Sequence, residues 1–301
     1  MSKTKIWIKS FRLRTLPLSL SGVVLASLIS YANNLFSLNT CIFALTTTLF
    51  LQILSNLAND LGDTLKGTDN SNRKGPERAM QTGLISIKEM KNMILVFVLL
   101  SVLSGILLII YSFNSLSSRN SIYMLSLGAL AIIAAIKYTL GKKAYGYHAM
   151  GDIFVFIFFG LASVIGTYFL HSAEIPLEMF LPATAIGLLS VGVLNMNNIR
   201  DIENDKACGK NTIPVVIGEQ KAKIYHYTII TSSFICLAIY FILRVGLLST
   251  LPLFILYIPI IKHLHTVYNS TGIGLDHQLK ILSLSTFLIS IVTGLMTILY
   301  N

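Results

Sequence analysis

Apolar positions along the chain do not alternate with polar ones. They come in continuous runs separated by short polar stretches. A helix needs about 20 apolar residues to cross the hydrocarbon of a bilayer. The runs therefore predict nine membrane-spanning helices, near 17–33, 38–58, 91–112, 120–140, 150–171, 179–198, 224–243, 246–265 and 280–300. The seventh and eighth are divided only by Arg244, Val245 and Gly246, and merging them would leave eight spans. Runs of this kind argue against a membrane β-barrel, whose strands alternate lipid-facing and lumen-facing residues. The expected fold class is an all-α integral membrane protein forming one domain over 1–301.

Composition excludes the soluble alternatives. Hydrophobic residues make up 54% of the 301 and charged residues only 12%, about half the charge of an ordinary soluble domain. A soluble protein could not hide so much apolar surface, and a disordered chain needs the opposite balance. The formal net charge is +10. Its placement points to an anionic membrane surface rather than to nucleic acid, because the basic residues lie in loops on one side. All 23 Lys and Arg except Arg119 and Arg244 fall at the N-terminus or near 59–90, 137–148, 199–223 and 262–280. The positive-inside rule then puts the N-terminus in the cytoplasm and the C-terminus outside, in a cell membrane. Cys41, Cys208 and Cys236 are too scattered for a disulfide framework or metal site. The histidines, His148, His171, His226, His263, His265 and His277, form no ligand pattern and read as interfacial.

The acidic residues are clustered. NLANDLGDTLKGTD (56–69) and NMNNIRDIENDKACGK (195–210) hold six of the thirteen. Each lies where a span meets a basic loop, and about four spans separate them, which suggests two related halves. Asn56, Asp60 and Asp63 share a helical face at i, i+4 and i+7, with Asn59 and Asp69 close by. Asn198, Asp201 and Asp205 share one at i, i+3 and i+7, and Asn197 sides with Asp201. Carboxylates at the end of an apolar helix are costly and repel one another unless something offsets the cost. Mg²⁺, which takes oxygen ligands and commonly shares them with phosphate, is the cofactor this pattern implies. Lys66, Arg73, Lys74 and Arg78 follow the first cluster, and Arg200, Lys206 and Lys210 lie in the second. Cations beside paired carboxylates fit a diphosphate held partly by Mg²⁺ and partly by Arg and Lys. A lipid carrying one would enter from the bilayer.

A third stretch, KYTLGKKAYGYHAMGD (137–152), carries Tyr138 and Lys142 one helical turn apart. They could serve a leaving phosphate, or equally be an interfacial Tyr and a snorkelling Lys. Asp152 reads alike as ligand, base or structural partner. Arg14, in RLRTLP, reads as a topology anchor or a binding residue.

Together, Asn59-Asp60-x-x-Asp63, Tyr138-x-x-x-Lys142 and Asp201-x-x-x-Asp205 resemble the motifs of the UbiA superfamily of intramembrane prenyltransferases. The likeness extends over nearly the whole chain. It is sharpest in the surrounding stretches and the RTLPLS opening, which are similar to the menaquinone-pathway branch. That resemblance implies a helical bundle around a central cavity, open sideways to lipid and capped by cytoplasmic loops. It implies transfer of a polyprenyl group from its diphosphate to 1,4-dihydroxy-2-naphthoate, with loss of CO₂ and diphosphate, giving demethylmenaquinone. Asp60, Asp63, Asp201 and Asp205 would hold Mg²⁺. Asn56, Asn59, Asn197, Asn198, Lys142, Arg200, Lys210 and Arg73 or Arg78 would orient or neutralise the diphosphate. The superfamily usually spaces its first motif N-D-x-x-D-x-x-x-D. Here the third acid position is Gly67 and the next acid is Asp69, so Asp69 ranks below the others as a metal ligand. Competing expectations are another aromatic acceptor (4-hydroxybenzoate, homogentisate or haem) and, more distantly, a transporter. A transporter's polar residues should sit near mid-membrane, whereas these lie at one rim. The implied partners are the two substrates and the bilayer, with no nucleic acid and no obligate protein partner.

Overall fold

The computed structural model describes residues 2–300. The chain is a multi-pass membrane protein, and nine of its described spans are long and apolar enough to cross a bilayer. A short helix, α1 (Lys3–Ser10), precedes α2 (Leu16–Ala32), α3 (Leu38–Leu65), α4 (Ile87–Phe113), α5 (Arg119–Lys137), α6 (Gly151–Ser172) and α7 (Phe180–Arg200). Two short helices, α8 (Ile202–Ala207) and α9 (Ile213–Ile217), lead to α10 (Glu219–Arg244), α11 (Leu251–Asn269) and α12 (Asp276–Leu299). No strand occurs among the described residues, only an isolated bridge between His148 and Asn211. The helix ends at Arg244 and a new one begins at Leu251, so the seventh and eighth spans are separate.

Polar residues at the helix starts supply the caps the backbone needs. The Ser37 hydroxyl accepts the Thr40 amide at the start of α3. Ser86 and Glu89 form a reciprocal capping box on α4, and Ser118 caps α5. Helix α3 packs along α4, α2 along α12, and both α6 and α10 along α7. The α6–α7 contact is close because Gly160 and Gly187 face each other: a Cβ on Gly160 would lie 2.6 Å from the Gly187 Cα. Small residues let membrane helices approach in this way. Between Phe156 and Ile165, α6 is wound as a π-helix, an arrangement that tends to occur near functional sites.

Length places the first acidic motif. Helix α3 has 28 residues, about 42 Å at 1.5 Å per residue, against about 30 Å of hydrocarbon. Its last turns, carrying Asp60 and Asp63, therefore reach the rim of the bundle. The second motif differs from a straight helix. Helix α7 ends at Arg200, Asp201 is its C-cap, and Asp205 rides on α8. The kink breaks the simple i, i+3, i+7 face, yet the short helix still turns both carboxylates to the same cavity.

The histidine expectation needs correcting for one pair. His226 and His263 are buried, not interfacial. Their Nε2 atoms lie 3.0 Å apart, and His263 Nδ1 is 2.9 Å from Gln278 Oε1, tying α10, α11 and α12 together. A ring buried in an apolar bundle is tolerable only with such a partner.

Candidate active site

Three loops meet over the rim that carries the acidic motifs. Gly62, between Asp60 and Asp63, lets the first two approach: a Cβ there would lie 2.5 Å from the Thr139 Cβ. The Thr139 hydroxyl donates to the Ala58 carbonyl at 3.0 Å. Beyond the second motif, the Asn211 amide donates to Tyr147 O and the Ala149 amide to Asn211 O. The Asn204 side chain donates to Thr68 O at 2.9 Å, closing the second motif onto the first.

Beneath these loops a cavity of about 1140 Å³ runs into the bundle. Asp60, Asp63, Asp201 and Asp205 line its polar end, with Asn59, Asn197, Asn198, Arg73, Arg78, Arg200, Lys210, Arg14 and Tyr138. Its inner end is apolar, reaching Ala44, Leu108, Met124 and Leu170. Tyr138, Tyr145, Phe154 and Phe158 form an aromatic run along the wall, with Tyr145 and Phe154 stacked at 3.8 Å between centroids.

Each carboxylate is held by a cation. Arg78 Nη1 lies 2.9 Å from Asp63, 2.8 Å from Asp69 and 3.4 Å from Asp60. Arg12 also pairs with Asp60. Arg200 grips Asp201 through two nitrogens, at 3.1 and 2.6 Å, while its other contacts are Asn197 at 2.8 Å and Asp276 at 2.7 Å. Lys210 lies 3.8 Å from Asp63 and 3.7 Å from Asp205, and so spans the two motifs. Burial pushes the Asp205 carboxyl up to about 6, opposed by Lys210 and reinforced by Asp201 and Asp63.

Tyr147 has a part that its position in the sequence does not announce. Its hydroxyl donates to Asp63 Oδ1 at 2.8 Å and is 2.6 Å from Thr68 Oγ1, which donates to it. Burial and the Asp63 charge raise its pKa above the ordinary tyrosine value, so it stays a donor. Lys66 Nζ sits 3.8 Å above its ring, and Lys210 is on the same ring at 5.4 Å, a cation–π arrangement. Tyr138 is raised in the same way, chiefly by burial.

Several sequence-predicted residues lie off the cavity wall. Lys142 is exposed. Asn56 turns to the α1–α2 connection, donating to Phe11 O and Thr15 Oγ1. Asp152 is buried and accepts from the Tyr225 hydroxyl at 3.0 Å. Asp69 stands behind the wall, against Arg78 and with Arg73 Nε at 3.4 Å. Arg12, Tyr147 and Asp276 were not singled out in the sequence. Arg12 had one usable signal, since it lies two residues before Arg14 in the same basic opening.

The donor set fits a hard divalent cation. The acidic motifs bring carboxylate and amide oxygens to the polar end, and the buried Asn204 Oδ1 has no hydrogen-bond partner. Among the described residues, no three carboxylate, His or Cys groups cluster tightly enough to hold an ion by themselves. Mg²⁺ is commonly bound through one or two carboxylates and completed by substrate phosphates.

An all-helical bundle with paired acidic motifs over an apolar cavity is the design of an intramembrane prenyltransferase. The model of the UbiA prenyltransferase family matches residues 20–284, and the chain belongs to that family. It is 43% identical over 240 residues to the 1,4-dihydroxy-2-naphthoate octaprenyltransferase of Escherichia coli (strain K12), covering 80% of this chain and 77% of that one. Identity to the Haemophilus influenzae protein of the same name is 42% over 271 residues, covering 89% and 87%. Among solved structures it is similar to a UbiA homologue from Aeropyrum pernix K1 (TM-score 0.70, 18% identity, 94% and 98% covered). It is also similar to one from Archaeoglobus fulgidus bound to GPP and Mg²⁺ (TM-score 0.61, 21% identity, 95% and 99% covered). At those identities the likeness is one of fold.

Proposed function

We propose that this protein transfers a polyprenyl group from polyprenyl diphosphate to 1,4-dihydroxy-2-naphthoate, releasing diphosphate and CO₂ and giving demethylmenaquinone. The observation that carries the reading is the identity of 42–43% to enzymes named for that acceptor, over four-fifths or more of the chain. The site chemistry supports the same reaction class. The whole chain acts as one membrane domain, with the acidic rim and N-terminus facing the cytoplasm and the C-terminus outside, a reading that the placement of Lys and Arg supports.

Asp60, Asp63, Asp201 and Asp205 are the residues that would hold Mg²⁺. Held there, Mg²⁺ would supply positive charge against the diphosphate. Arg78 and Lys210 are placed to follow the metal onto the diphosphate, because each contacts motif carboxylates that the ion would engage. Cations fixed in advance, where negative charge builds, supply the largest share of catalysis. Arg73 and Arg12 close the same mouth. Arg200 is spent on Asp201 and Asp276, and acts by fixing Asp201. As the C–O bond breaks, positive charge grows on the first prenyl carbon, and the faces of Tyr138, Tyr145, Phe154 and Phe158 can stabilise it and keep water away. The Tyr138 hydroxyl, which stays protonated, is placed to donate to the departing oxygen.

An acceptor panel tests the assignment. Purified protein given a polyprenyl diphosphate and Mg²⁺ should prenylate 1,4-dihydroxy-2-naphthoate with release of CO₂, followed by mass spectrometry. Product from 4-hydroxybenzoate or homogentisate instead would keep the chemistry and overturn the acceptor.

A further inference from the structure

A second wall of the cavity runs beside the first acidic motif, whose Asp60 and Asn56 bond to Arg12 and Thr15 just before α2. It is built from the start of α2 and the start of α12, which pack along each other. Gly294 marks their register, because a Cβ there would lie 2.5 Å from the Leu28 Cβ. Both helices begin at the acidic rim. Arg14 lies in the short turn just before α2, and Lys280 lies one turn inside α12.

Both line the cavity. Arg12, Arg73, Arg78, Arg200 and Lys210 are each within ion-pair distance of an aspartate, whereas Arg14 and Lys280 have no such partner among the described residues. One turn further along α12, Ser283 is 6% exposed, lines the same cavity, and its Oγ has no hydrogen-bond partner. The unpartnered Asn59 Oδ1, one residue before Asp60, also lines it. Buried polar atoms are rarely left without a partner unless a ligand or water completes them.

The depth is informative. Asp276, Lys280 and Ser283 share a helical face at i, i+4 and i+7, and that face descends about 10 Å into the bundle. Asp276 is clamped to Arg200 at the level of the second motif. Lys280 and Ser283 therefore lie one and two turns below Asp276, on the cavity that the motif carboxylates and Asn59 also line.

We infer that Arg14, Lys280, Ser283 and Asn59 form the subsite for the aromatic acceptor, a planar ring bearing a carboxylate and hydroxyl groups. Arg14 and Lys280 take the carboxylate, a charge-assisted contact that neither the prenyl chain nor the diphosphate needs. Ser283 Oγ and Asn59 Oδ1 take ring hydroxyls, with Asn59 accepting. The inference rests on the acceptor class proposed above, and it adds Lys280 and Ser283 to the binding residues.

Kinetics of purified full-length Lys280→Gln and Ser283→Ala test it. Lys280→Gln should raise the KM for 1,4-dihydroxy-2-naphthoate at least ~10-fold, the scale of one hydrogen bond to a charged group. The KM for polyprenyl diphosphate should stay within about twofold, and Lys280→Arg should restore most of the loss. Wild type should prefer the acid over 1,4-naphthalenediol, which lacks the carboxylate, and Lys280→Gln should lose most of that preference. Ser283→Ala should weaken both acceptors alike. Direct binding of the fluorescent 1-hydroxy-2-naphthoate separates this inference from the proposed reaction, because it requires no turnover. Weaker binding to Lys280→Gln than to wild type supports the subsite even if prenylation is not observed. A KM effect on the diphosphate instead, an equal loss on the acid and the diol in Lys280→Gln, or unchanged probe binding would overturn it; the first would return Lys280 to the diphosphate site.

Discussion

Replacing Tyr147 by Phe removes a single oxygen and keeps the ring beneath Lys66. That oxygen donates to Asp63 Oδ1 at 2.8 Å and receives a hydrogen bond from Thr68. Without it, Oδ1 retains only Lys210, at 3.8 Å, while Oδ2 keeps Arg78 at 2.9 Å. The carboxylate then pivots about its Arg78 contact. A hydrogen bond to a charged group is worth about 1.5–3 kcal/mol, which corresponds to roughly a 10- to 150-fold change in an equilibrium constant. Loss of a residue that orients a metal ligand typically costs about 10–100-fold in metal affinity or activity. Both routes give the same scale. Initial rates against free Mg²⁺, at saturating substrates, are the assay. The half-saturating Mg²⁺ concentration should rise about 10–100-fold, and most of the maximal rate should return at high Mg²⁺. A Mg²⁺ curve superimposable on that of wild type would refute the reasoning, as would a loss that no Mg²⁺ concentration recovers.

Other substitutions probe the frame and the charges. Arg78→Gln leaves Asp63 and Asp69 without their shortest ion pairs; it should cost about 3–5 kcal/mol of stability, read by denaturant titration in detergent, and lower turnover about 10²–10³-fold. Gly160→Ala drives a methyl group into the Gly187 backbone and should cost about 1–3 kcal/mol. Gly128→Ala, which meets open space, is the matched control and should leave the melting temperature nearly unchanged. His263→Leu strands His226 Nε2 and Gln278 and should cost about 1–3 kcal/mol. Adding His226→Leu should cost less than the two single changes summed, because the residues share one interaction.

The spans were readable because lipid demands long apolar helices, and that requirement is written residue by residue. The acidic motifs were readable because charge at a membrane rim is costly and so conspicuous. What escaped depends on pairings far apart in the chain. Arg12 meets Asp60, Tyr147 meets Asp63 and Asp276 meets Arg200 at separations of 48, 84 and 76 residues. No local spacing encodes these. In the third stretch the Y-x-x-x-K spacing drew attention to Tyr138 and Lys142, but Lys142 faces solvent. Tyr147, in the same loop, is the residue that touches a motif carboxylate, and the loop is held there in part by the pairing of His148 with Asn211. Asn56 shows the limit of helical periodicity. It lies on the buried side of α3, as expected, but that side is shared between the cavity and the α1–α2 turn.

The central claim is that the two acidic motifs act together on one diphosphate. Its most direct test is prenyl transfer by wild type, Asp60→Asn and Asp201→Asn, each shown to be folded in detergent, with 1,4-dihydroxy-2-naphthoate, a polyprenyl diphosphate and Mg²⁺, with and without EDTA. Prenylated product that appears only in wild type, and only with the metal, is the predicted result. Near-normal product from either variant, or product undiminished by EDTA, would contradict it.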